Sequence, residues 1–188
     1  MLWCDANLDQ LSSFGMFQGW ENFYLIVGPS AGALIGLMFV VVTLSQGRDS
    51  QQYEAGKHLY TSPIVWHLSV VLGLSAAAIA PPVTPILFGT GAGVLALIGI
   101  GFGLRSTTGI ARNRLTGADT KFDMWFYGIL PTVTYIAMAT SAVAMLLGSR
   151  WAEAAVASSL TALLMVSIHA EWDLVTFLAP RSKADKKS

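Results

Sequence analysis

Residues 62–104 read SPIVWHLSVVLGLSAAAIAPPVTPILFGTGAGVLALIGIGFGL, with no Asp, Glu, Lys or Arg among them. Two apolar runs lie on either side of Pro81 and Pro82, and each approaches the ~20 residues that a helix needs to cross a hydrocarbon core about 30 Å thick. Ser62 before Pro63 and Thr84 before Pro85 repeat one start signal. A hydroxyl residue caps the free N–H groups of a first turn, and a proline at the first helical position gives up an N–H that had no partner there. Pro81 and Pro82 end the first run, since a proline ring clashes with the turn before it. The stretch predicts two antiparallel membrane helices joined by a short turn.

The rest of the chain extends this pattern. Apolar segments at about 23–45, 62–80, 85–104, 123–147 and 152–179 predict five transmembrane helices. None shows the ~10-residue apolar/polar alternation of a barrel strand, and irregular backbone is too costly in hydrocarbon. The fold class is therefore an all-α integral membrane protein, one five-helix domain over residues 1–188. Pro29 and Pro131 fall within the first and fourth segments and predict kinks there.

Composition agrees. Of 188 residues, 54% are hydrophobic and 12% charged, where soluble domains carry about 25% charged. The lipid bilayer is the partner this implies. A formal net charge of zero argues against nucleic acid. Cys4 is the one cysteine, which leaves no intrachain disulfide and no multi-cysteine metal site. Met1–Asp9 offers neither a basic nor an apolar leader region, so no cleaved leader is expected.

Loop charges set the orientation, because cytoplasmic flanks retain Lys and Arg. Arg48 and Lys57 follow the first segment, Arg105, Arg112, Arg114 and Lys121 the third, and Arg181, Lys183, Lys186 and Lys187 the fifth. Ten of the eleven basic residues thus gather on one side, and only Arg150 lies on the other. The expected topology is N-terminus outside and basic tail in the cytoplasm, in a plasma (inner) membrane. Trp20, Phe23, Tyr24 and Trp151 would form the outer aromatic belt, and Trp66, Trp125, Phe126 and Trp172 the inner one. Before the first helix, Leu8, Leu11, Phe14, Phe17 and Trp20 suggest a short amphipathic segment on the outer surface.

Small residues mark close helix approach. Gly28, Gly32 and Gly36 share one face of the first helix, and the third supplies Gly89 with Gly93 and Gly99 with Gly103. Without a Cβ two backbones draw together and gain dispersion. Spacing alone leaves open whether the partner is a helix of the same chain or a second copy in a homo-oligomer.

Ionisable residues inside apolar segments are the sharper functional signal, since each costs at least ~2.5 kcal/mol at the bilayer centre unless paired or hydrated. His169, Glu171 and Asp173 concentrate in the fifth segment. His169 and Asp173 are one turn apart on a shared face, whereas Glu171 points about 160° away from His169. His67 and Tyr127 fall at comparable depth, with Arg105 at the inner boundary; Asp173 is expected to pair with Arg105 or His67. One reading is a polar cluster in the cytoplasmic half that passes an ion, proton or small solute, a channel-like or transport-related role suited to His because it titrates near neutrality. A second is a metal-dependent intramembrane hydrolase, with imidazole and carboxylate on one metal, although no HExxH pattern is present. A third is a non-catalytic assembly or accessory subunit acting through its glycine faces. The fifth segment would also span ~42 Å, so its acids could instead project into the headgroups. No GxSxG elbow or nucleotide cradle supports other chemistry, and the sequence leaves any cofactor unidentified.

Overall fold

A computed structural model of the chain describes residue 17 and residues 19–44, 62–80, 83–112 and 125–178. The helices are α1 (Glu21–Leu44), α2 (Ser62–Ile79), α3 (Pro85–Arg112), α4 (Leu130–Leu146) and α5 (Ala152–Leu178), with a π-helical turn, Trp125–Ile129, leading directly into α4. No strand occurs among the described residues. The stretches Glu21–Thr43, Pro85–Thr108, Trp125–Leu146 and Ala152–Thr176 are long and apolar enough to cross a membrane. The fifth helix, α2, is shorter, at 18 residues or ~27 Å. The protein is thus helical and multi-pass. Most of the expected outer segment before Phe17, the basic tail and the longer connections lie outside the described residues.

Local chemistry explains the element ends. The Thr84 hydroxyl accepts from Leu87 N at 3.2 Å, the cap expected ahead of Pro85. Gly148, at φ 72°, closes α4: its N–H reaches Met145 O at 3.0 Å, and Ser149 N reaches Ala144 O at 2.9 Å. This is the left-handed termination that glycine permits without a Cβ clash. The third helix runs past the expected end near Leu104 to Arg112. Thr107 and Thr108 donate to Gly103 O and Arg105 O, so their polarity is absorbed within the helix itself. The kink expected at Pro131 takes the form of the π turn just before it. Proline lacks the N–H that would bond the carbonyl four residues back, and the wider turn accommodates that loss.

Two antiparallel pairs and one shared helix make the bundle. In the first pair α1 meets α2 at Gly28, where a Cβ would stand 3.0 Å from Ser75 Cβ. In the second, Gly89 faces Leu146 and Ala142, Gly93 faces Ala142, Gly99 receives the Tyr135 ring, and Gly103 receives Thr132. Gly128, on the π turn, receives Thr107 of α3 in return. These four α3 glycines therefore serve contacts within the chain. Those of α1 grade outward: Gly32 only reaches Leu72 at 4.0 Å, and Gly36 has no neighbouring atom within that distance. Helix α5 packs against α4, α2 and α1.

Burial is inverted relative to a water-soluble protein. Phe39, Ile86, Leu97, Leu147 and Trp172 point outward, while His67, Ser75, Ser167 and Glu171 are buried. Apolar solvent around the bundle is the environment in which this arrangement is stable.

Candidate functional site

The last turns of α5 and the π turn before α4 come together at the end of the bundle where α2 begins. His169 and Asp173, one turn apart as the spacing requires, pair at 3.5 Å between Nε2 and Oδ2. The Tyr127 hydroxyl donates to the same Oδ2 at 3.3 Å. Phe126 lays its ring against the His169 imidazole, centroids 4.3 Å apart at 38°. The π turn thus positions two consecutive aromatic side chains against two residues of α5. His169 and Asp173 keep 41% and 45% of their side-chain surface exposed.

Glu171 is placed quite differently. It is buried, at 4% exposure, and neither carboxylate oxygen has a hydrogen-bond partner among the described residues. The opposition of faces expected from helix geometry is therefore realised: the half-exposed pair on one side, a recessed carboxyl group on the other.

His67 is equally buried but not alone. Its Nδ1 lies 2.7 Å from the Tyr135 hydroxyl, across 68 residues of chain. This bond ties α2 to α4, and Gly99 makes room for the Tyr135 ring that carries it. The expectation that Asp173 pairs with His67 or Arg105 is corrected here. His67 is committed to Tyr135, Asp173 to His169 and Tyr127, and Arg105 is exposed and in no ion pair among the described residues. Arg105 sits on α3, which packs on α4 and α2, while Asp173 is carried by α5.

Tyr135 is the residue that sequence reasoning missed. A tyrosine four residues after Pro131, in an apolar segment, was the available signal, because a buried phenol seeks a partner. As to metals, no three His, Cys, Asp or Glu side chains among the described residues converge where one ion could be held. His169 and Asp173 supply two donors and His67 is engaged elsewhere, so the hydrolase reading gains no ligand set. The chain matches no protein-family profile, no curated protein and no solved structure, and the chemistry of the site rests on these residues alone.

Proposed function

We propose that the protein is a transport-related, channel-like membrane protein that passes protons, with Glu171 as the group that takes them up and releases them. The carrying observation is the burial of this carboxyl group with both oxygens unpartnered among the described residues. An unpaired charge in a dry interior costs several kcal/mol. A carboxyl group kept there suits a role in which charge is present only transiently, and intramembrane ionisable groups are functional by default. The half-exposed His169 and Asp173, with Tyr127, provide a hydrogen-bonded polar entrance from the adjacent surface, and His67 with Tyr135 forms a further hydrogen-bonded pair deeper in the bundle.

The proposal includes an orientation. With the basic flanks on the cytoplasmic side, as the positive-inside rule favours, the Glu171 end faces the cytoplasm.

Reconstituted liposomes with a trapped pH indicator test the function. Under an imposed proton gradient, Glu171→Gln, which keeps shape and removes the titrating group, should lower the flux at least tenfold. Equal flux through both proteins, or movement of sodium or potassium without protons, would overturn the assignment.

A further inference from the structure

The opposite end of the bundle, where α1, α3 and α5 begin, holds polar groups that the Glu171 end does not use. Tyr24 is fully buried and Ser75 is 1% exposed, and neither hydroxyl has a partner among the described residues. Ser75 departs from the behaviour of the other buried serines. Ser141, Ser159 and Ser167 each donate to a carbonyl of their own helix one turn back, at 2.7, 2.8 and 2.8 Å. The Ser75 hydroxyl makes no such bond, and its Oγ stands 3.8 Å from where a Gly28 Cβ would be. It therefore lies at the seam between α1 and α2. Tyr24 is one turn from Gly28 on the same face of α1.

Phe17 packs over the Tyr24 side of this seam. Its side chain is 2% exposed and packs edge-on against Tyr24 and Phe88, with centroids at 5.1 and 4.7 Å. Its backbone takes φ 72°, a left-handed conformation unfavourable for a residue with a Cβ. The ring is therefore inserted at the expense of a strained turn residue.

Buried hydroxyls left without protein partners are the groups that ordered water satisfies, given a polar surrounding. We infer that the Tyr24 and Ser75 hydroxyls form a second site, one that binds water at the seam of α1 and α2 near the Phe17 ring, and that this site is the far station of the proton route. The second part rests on the transport reading; the first does not. Both hydroxyls can donate and accept, and they lie on two facing helices, with the Phe17 ring packed on Tyr24.

The test reads water access and flux separately, in full-length protein with Cys4→Ser to remove the natural thiol. Ser75→Cys in liposomes is exposed to a small water-soluble methanethiosulfonate. With Phe17 in place modification should be slow, with Phe17→Ala at least tenfold faster, and with Phe17→Leu intermediate. Ser141→Cys should stay unmodified in every background. No modification of Ser75→Cys in any background, with the protein still eluting as a single species, would overturn the water site. Equal rates with and without Phe17 would overturn its role as cover. Tyr24→Phe keeps the ring contacts and should lower proton flux at least threefold; unchanged flux would remove Tyr24 from the route. Glu171→Gln should lower flux at least tenfold and leave the labelling of Ser75→Cys untouched. Labelling in a protein that passes no protons would overturn the transport reading and the station while supporting the water site.

Discussion

Tyr135 and Asp173 each receive or give a hydrogen bond between helices, yet they sit in different dielectric surroundings. The Tyr135 hydroxyl meets His67 at 2.7 Å with both residues buried, whereas Asp173 is nearly half exposed and its contacts are 3.3 and 3.5 Å long. Interhelical bonds in membranes contribute about 1 kcal/mol, and stranding a buried partner adds to that. Tyr135→Phe should therefore destabilise the protein by about 1–2 kcal/mol, read as a lower melting temperature in detergent. Asp173→Asn should cost no more than about 0.5 kcal/mol, as exposed pairs do. A reversed order would mean that Asp173 is the structural tie and His67 the accessible group. The i,i+4 relation of His169 and Asp173 was legible in the sequence because it follows from helix pitch. The His67–Tyr135 bond was not, because it depends on how α2 and α4 are rotated, and that rotation is set by which glycines are covered.

Among the helices, each span announced itself by its apolar run and by its prolines, and most ends fell within a residue or two of the expected ones. The end of α3 did not. Polar Ser106, Thr107 and Thr108 mimic a loop in composition, but two of these side chains bond their own backbone. Glycine spacing likewise marked Gly28, Gly32 and Gly36 as one face without showing that contact fades along it. Substitution separates these cases. Gly99→Ala and Gly103→Ala, which push a methyl into Tyr135 and Thr132, should each destabilise by about 1–3 kcal/mol. Gly36→Ala and Gly101→Ala, which meet nothing within 4 Å, should be neutral or stabilise by up to about 1 kcal/mol. Thermal melts of the four variants in detergent check this. A loss at Gly36 with normal Gly99 and Gly103 variants would place the principal seam between two copies of the chain.

For the whole molecule, orientation is carried by charge rather than by shape. Single cysteines in a Cys4→Ser background decide it: Ser149→Cys, in the turn between α4 and α5, should react with an impermeant reagent on intact cells, and Ser182→Cys only after lysis. The reverse pattern would put the Glu171 end outside and turn the proposed route around. Within the bundle, the contact between α3 and α4 has a mechanical consequence. Gly103 and Thr107 on one helix repeat as Gly128 and Thr132 at the start of the other, and each threonine bonds the carbonyl of its own glycine while resting on the opposite one. The two helices are thus related by a local two-fold axis, like a clasp whose halves are identical. Sliding by one turn in one direction would set Thr107 against Thr132, and in the other would leave Gly103 facing Gly128 across a gap. The clasp blocks axial slip, so α3 and α4 travel as one rigid piece. For the proposed route, this leaves rearrangement to the joints of α1, α2 and α5, the bond between His67 and Tyr135 among them.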